Sequence, residues 1–251
     1  MNRRGLITGG LATGGLMLAG CDQPIVKAGA QCTRKVAESA NRRAQRALAR
    51  DALAPEYQEK DISRDFRANG SVDPADAEYV RLKANGFRDY RLIVDGLVAR
   101  PLALSLEDLR RRPSRTQITK HDCVEGWTSI GKWKGARLSA ILREAGLRPE
   151  AKFLVFYCFD ALDQTETGDR YYESIDIPEA RHEQTILAYE MNDRTLPIAN
   201  GAPLRLRLER QLGYKMAKYI KRIELVESFA HIAGGKGGYW EDRGYEWFAA
   251  I

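Results

Sequence analysis

Cys123, in the run His-Asp-Cys-Val-Glu-Gly-Trp over 121–127, is the feature that most constrains this chain. The sequence has no C-x-x-C pair, and its histidines are His121, His182 and His231, a set poorly suited to a structural zinc site or covalently attached haem. A lone thiolate can hold a metal when an organic group supplies the other soft donors. Two downstream segments answer it: Asn200-Gly201-Ala202-Pro203-Leu204-Arg205 and Gly213-Tyr214-Lys215-Met216-Ala217-Lys218. The alternatives for Cys123 are a small buried core residue or a disulfide with Cys158.

Residues 1–20 read as an export signal. Arg3-Arg4 precedes an apolar, glycine-rich stretch that ends in Leu18-Ala19-Gly20-Cys21. The stretch is shorter than the roughly 20 apolar residues a spanning helix needs. The arginine pair suggests the twin-arginine route, and Leu-Ala-Gly-Cys resembles a bacterial lipobox. Export by that route, with the protein already folded, is useful when a cofactor is inserted beforehand. The expectation is a periplasmic protein anchored to the membrane, the inner one given Asp22, by lipid on Cys21. An uncleaved hydrophobic anchor is the alternative. With Cys21 lipidated, Cys32, Cys123 and Cys158 are an odd number in an oxidising compartment.

Residues 21–65 read as a tether, with a helix over the alanine- and arginine-rich stretch 37–54, and residues 66–251 as one domain. A solvated helix face or affinity for an anionic membrane surface would explain Arg42, Arg43, Arg46 and Arg50. The formal charge is +6, but the excess is spread among 34 acidic residues, which gives nucleic-acid binding no special support.

Within the domain the pattern is mixed α and β. Tyr90, Leu92 and Val94 alternate as a strand, Asp95-Gly96 predicts a hairpin turn, and Leu97-Val98 resumes the strand. Ser105 and Asp108 form a capping box before a short helix. Leu138, Ile141 and Leu142 share one helical face that Gly146 ends. The run 153–156 reads as a buried strand. Leu204, Leu206 and Leu208 alternate with Arg205 and Arg207, which gives a strand with one apolar and one cationic face. Gly234-Gly235-Lys236-Gly237-Gly238 lacks the ending of a phosphate-binding P-loop and reads as a flexible loop.

From about 66 to 226 the chain resembles the sulfite-oxidase superfamily of molybdopterin-dependent oxidoreductases, especially the bacterial periplasmic branch containing the methionine sulfoxide reductase catalytic subunit. The resemblance rests on Cys-Val-Glu-Gly-Trp (123–127) with Trp133, Leu-Ala-Tyr-Glu-Met-Asn (187–192), Asn-Gly-Ala-Pro-Leu-Arg (200–205) and Gly-Tyr-Lys-Met-Ala-Lys (213–218). It implies an α+β fold, a mixed-sheet sulfite-oxidase-type molybdopterin-binding domain without the C-terminal dimerisation domain. It also implies a Mo-molybdopterin cofactor whose dithiolene supplies the remaining sulfurs, with Cys123 as metal ligand and catalytic residue. Asn69, Cys158, Asn200, Arg205, Met216, Ala217 and Lys218 fall at cofactor-contacting positions, Cys158 where the reductase branch has threonine. A forked guanidinium at Arg205 and a point charge at Lys218 suit a terminal phosphate.

Tyr171 matches an active-site tyrosine able to donate to an oxo group or substrate oxygen, or is an ordinary strand aromatic. Ala68 replaces an arginine of the sulfite oxidases and Asn200 replaces a histidine, which disfavours a sulfite-like dianion as substrate. The expected reaction is two-electron oxygen-atom transfer, with reduction of a small or protein-borne S-oxide or N-oxide preferred. With no haem or iron-sulfur motif in the sequence, electrons are expected from a partner such as a membrane b-type or soluble c-type cytochrome. An oxidase of the same family, or a non-catalytic ligand-binding lipoprotein using the aromatic tail 239–248, are the alternatives.

Overall fold

Two sheets form from the alternating apolar runs in the middle of the chain. The computed structural model describes residues 51–162 and 169–251, together with residues 33, 36–44 and 47. The chain divides into units 1–50 and 51–251. In the first, residues 36–44 are helical, while the export signal, Cys21 and Cys32 lie outside the described residues. Among the described residues no helix is long and apolar enough to cross a membrane.

The second unit runs α1 (Ala77–Ala84), β1 (Leu92–Gly96), β2 (Leu102–Leu104), α2 (Leu106–Arg111), β3 (Ser114–Asp122), β4 (Thr128–Arg137), α3 (Leu138–Ala145), β5 (Phe153–Ala161), β6 (Arg170–Asp176), α4 (Ile177–Arg181), β7 (Ile186–Met191), β8 (Arg194–Thr195), β9 (Arg205–Arg207), β10 (Ile220–Val226) and α5 (Tyr239–Asp242). One sheet has the order β2-β1-β10-β5-β6 and is mixed, because β1 and β10 run parallel while their other pairings are antiparallel. The other has the order β3-β4-β7-β8, with β9 also on β7, and is antiparallel throughout. This is the expected α+β class.

A single large core joins both sheets, with Leu92, Val94 and Phe156 from the first packed in one cluster with Leu187 and Leu206 from the second. Helix α3 adds Leu138, Ile141 and Leu142. Each such side chain contributes about 1.5–3 kcal/mol by leaving water. Helix α3 stops at Gly146, whose φ of 70° is left-handed. Helix α2 starts in the predicted capping box: Ser105 Oγ accepts from the Asp108 N–H at 3.1 Å, and Asp108 Oδ2 accepts from the Ser105 N–H at 3.0 Å.

Four expectations change. Asp95-Gly96 is no hairpin turn, because both residues stay in β1 by pairing with Glu224 and Leu225 of β10. The antiparallel partner is β2, reached only at Leu102. The cationic face of β9 is internal: Arg205 and Arg207 are 4% and 0% exposed. The glycine run is tied down, since the N–H groups of Gly234 and Lys236 donate to Asp242 at 2.9 and 3.0 Å and Gly238 bridges to Glu173.

The last change concerns the tether. The compact unit begins at Asp51 and not at 66. Glu56 forms a β-bridge with Thr119, Tyr57 N–H donates to the Ile118 carbonyl at 2.9 Å, and Gln184 brackets Ala54 through both backbone groups at 2.7 and 3.0 Å. These bonds cover the edge of β3, the strand that leads into Cys123. A chain beginning at Asp51 should therefore be more stable than one beginning at Phe66, by about 2–4 °C in Tm for each kcal/mol of edge pairing lost. Equal melting temperatures by circular dichroism would show that the segment contributes nothing.

Candidate active site

Strand β3 ends at Asp122, and Cys123 opens the turn into β4. Its N–H donates to the Trp127 carbonyl and its carbonyl accepts from Gly126 N–H, both at 2.9 Å. Gly126 has a φ of 87°, a left-handed conformation that favours glycine. The turn leaves Cys123 9% exposed, with Asn69 Nδ2 at 3.4 Å from its Sγ. The Glu125 carboxylate accepts from Trp127 Nε1 at 3.0 Å, and this bond and the nearby Asn69 amide hold it below the ordinary carboxylate range. Burial pushes the Cys123 thiol above its ordinary pKa, and the backbone hydrogen bond at Glu125 and the one from Asn69 offset part of that. Cys123 and Cys158 are both free thiols, so the disulfide alternative is not formed.

The opposite wall comes from the chain between β8 and β10. A 3-10 turn, Ile198–Asn200, leads into β9, and a second, Gly213–Lys215, precedes Met216. Arg205 donates to the Asn200 carbonyl at 2.9 Å and lies 4.9 Å from the centre of the Trp133 ring. Lys218 Nζ donates to the carbonyls of Asn69 and Ser71 at 2.6 Å each. The same lysine therefore belongs to this wall and fastens the segment that places Asn69 on Cys123.

Between the walls lies a cleft with about 900 Å³ of empty space, including its open mouth. Of the residues expected at the site, Asn69, Cys123, Tyr171, Asn200, Arg205, Met216 and Lys218 line it. Cys158 and Ala217 are not among the lining residues. Cys158 is buried on β5 opposite Ile220, and Ala217 is buried with its carbonyl accepting from Leu206 N–H at 2.8 Å. The Tyr171 hydroxyl donates to the Tyr214 carbonyl, so its proton is engaged within the protein instead of being offered to the cleft.

The electrostatics of the cleft are cationic and unbalanced. Arg205 and Lys218 form no ion pair among the described residues. Burial holds both below their ordinary pKa values, helped by the charge of Arg207 on Arg205 and of Arg205 on Lys218. Asn200 Nδ2 and Arg205 Nε are buried donors without an acceptor. Asp160, 2% exposed, lines the same cleft with its carboxyl pushed up by burial and drawn back by Lys218.

Three groups here were missed by the sequence reading, and all follow from strand periodicity. His121 stands two residues before Cys123, Asp160 two after Cys158, and Arg207 two after Arg205, so each falls at strand spacing from a residue already singled out. His121 is buried and held neutral, its pKa well below the ordinary value through burial and then the charges of Arg207, Arg205 and Lys218.

Comparison with known proteins gives this site a family. The family model described as "Oxidoreductase molybdopterin binding domain" matches residues 79–231. A protein of Azospira oryzae, provisionally named protein-methionine-sulfoxide reductase subunit YedZ1, is 40% identical over 196 residues, 78% of this chain and 67% of that protein. Proteins named protein-methionine-sulfoxide reductase catalytic subunit MsrP are 32% identical in Campylobacter jejuni, over 56% of this chain and 50% of theirs, and 35% identical in Gluconobacter oxydans, over 55% and 47%. The chain thus spans about two thirds of the first of these relatives and about half of the other two. Among solved structures, the sulfane dehydrogenase SoxCD of Paracoccus pantotrophus aligns with a TM-score of 0.50 and 26% identity, over 56% of this chain and 39% of that one. With the family model covering more than half of its length, this chain belongs to the molybdopterin-binding oxidoreductases of the sulfite-oxidase type and is a molybdopterin-dependent enzyme.

Proposed function

We propose that this protein reduces an S-oxide, with protein-borne methionine sulfoxide as the preferred substrate class and Cys123 as the protein ligand of the metal. The observation that carries the reading is the convergence of the Cys123 thiol, the Asn69 amide and the cations Arg205 and Lys218 on one cleft. The names of the relatives favour the reductive direction. An oxidase reading has the sulfane dehydrogenase on its side, at lower identity.

The residues fit the cofactor on two counts. A buried thiol beside an amide donor suits a soft metal, which takes up the thiolate. Two buried cations that form no ion pair among the described residues, together with the unpaired donors of Asn200 and Arg205, suit an anionic group such as a terminal phosphate. When bound, the molybdenum centre supplies two-electron oxygen-atom transfer. The chain's own residues do the rest. Asn69 donates to the Cys123 sulfur and stabilises its negative charge, and Trp127 and Glu125 hold the mouth of the turn. Val124, 46% exposed, lines the cleft with Leu162, Trp240 and Tyr245, giving an apolar approach for a thioether side chain. Ala68 places no charge where a dianion would need one, though Arg67 stands beside it over the Trp127 ring at 5.6 Å.

In the same proposal the chain leaves the cytoplasm by the twin-arginine route, is lipidated at Cys21 and works in the periplasm on the membrane. A cytochrome of b or c type supplies electrons there.

Cys123→Ala should lower reduction of methionine sulfoxide by reduced viologen dye to background while the fold is retained. Dye oxidation at the wild-type rate would overturn the assignment of Cys123. A second test concerns the cations. Sulfate, a dianion across the range, should bind the cofactor-free protein at neutral pH and more weakly as the pH rises toward the ordinary lysine value of 10.5, because Lys218 loses its proton early. Bound sulfate favours the charged lysine, so titration calorimetry should record proton uptake in that window. Lys218→Met should weaken the pH dependence and the proton uptake, and a variant in which both are unchanged would rule out Lys218 as their source.

A further inference from the structure

A buried polar chain of His121, Arg207, Glu209 and Gln117 lies next to the Cys123 turn. His121 lies on β3, 6% exposed, and lines the cleft. Its Nδ1 is 3.1 Å from Arg207 Nη1 and 3.3 Å from Met216 Sδ. The two contacts ask for opposite tautomers, because a guanidinium only donates and a thioether only accepts. The charge-assisted bond from Arg207 is the stronger, so Nδ1 is assigned as its acceptor, the Met216 sulfur is left in van der Waals contact, and the single ring proton sits on Nε2. Arg207 is itself locked: Nε and Nη2 donate to the two oxygens of Glu209 at 2.9 and 2.6 Å, and Gln117 Nε2 donates to Glu209 Oε1 at 2.7 Å. The side chains of Arg207 and Glu209 are 0% exposed, and the guanidinium rests 4.4 Å from the centre of the Trp133 ring.

On the other side of the ring, a Cβ at position 213 would stand 2.4 Å from Nε2, so Gly213 leaves that nitrogen its space. Among the described residues, Nε2 makes no hydrogen bond. The arrangement therefore spends a neutralised, fully buried arginine on fixing one tautomer, and leaves the resulting N–H at the cleft beside the cysteine.

We propose that His121 donates a hydrogen bond from Nε2 to an acceptor of the bound molybdopterin group, with Arg207 and Glu209 as positioning residues that hold the tautomer. This rests on the reading of the cleft as a molybdenum site. A neutral donor beside the metal stabilises its more electron-rich state, so the hydrogen bond also bears on the redox potential.

The first test uses the cofactor-free protein with nitrogen-15 labelled histidine. The nitrogen chemical shifts of His121 should mark Nε2 as protonated and Nδ1 as the acceptor, and Arg207→Met should mix the tautomers. A proton on Nδ1 in the wild type would overturn the proposal whatever the metal content. In the loaded protein, His121→Phe should shift the molybdenum midpoint potential and the Mo(V) paramagnetic signal, and His121→Gln, which keeps an N–H donor, should recover part of both shifts. Unchanged potential and signal in a fully loaded His121→Phe protein would overturn the proposal and leave the functional reading standing. Where His121→Phe fails to fold, nitrogen-15 hyperfine coupling to Mo(V) in the labelled wild type decides, and its absence counts against the hydrogen bond. Wild-type protein free of molybdenum, from cells able to make the cofactor, would instead overturn the functional reading and this inference with it.

Discussion

Two buried cations, Arg205 and Lys218, face the cleft and form no ion pair among the described residues, although the buried Asp160 carboxyl lines the same space, and much of the architecture around them accounts for how that is tolerated. A charge removed from water is costly unless other groups solvate it. Arg205 leans on the Trp133 ring and the Asn200 carbonyl, and Lys218 spends its ammonium on the carbonyls of Asn69 and Ser71. Both arrangements hold the charge, and neither neutralises it. In the function we propose, the anion that completes the site is part of the cofactor, and the cleft is then a receptor whose electrostatics are set before its ligand arrives.

The same contacts carry geometry from one wall to the other. Lys218 precedes β10 in the mixed sheet, while Cys123 follows β3 in the antiparallel one. The bond from Lys218 to the Asn69 carbonyl joins them, because the amide of that residue meets the Cys123 sulfur. Arg207 plays the corresponding part deeper in, tying β9 to His121 on β3. Cysteine, buried cations and histidine are thus positioned by a short set of hydrogen bonds between sheets that share one core.

Much of this was legible in the sequence. The capping box at Ser105, the α3 face ending at Gly146 and the buried run of β5 depend on local spacing, and local spacing survives folding. The spaced motifs carried the family, and with it most of the cleft. What failed depended on partners far along the chain. Gly96 reads as a turn residue until β10 pairs with it, and the arginines of β9 look like a surface face until Trp133 and Glu209 cover them. Residues 51–65 resemble a tether because their bonds go to β3 and Gln184, which no local pattern announces. Cys158 and Ala217, placed by resemblance, are buried in the core and do not line the cleft.

The most direct test of the central claim is X-ray absorption at the molybdenum edge, on wild-type protein and on Cys123→Ser loaded with the same cofactor. The account predicts one fewer sulfur scatterer around the metal in the variant, with an oxygen in its place. An unchanged sulfur shell would contradict it, and would mean that Cys123 lies beside the metal without binding it.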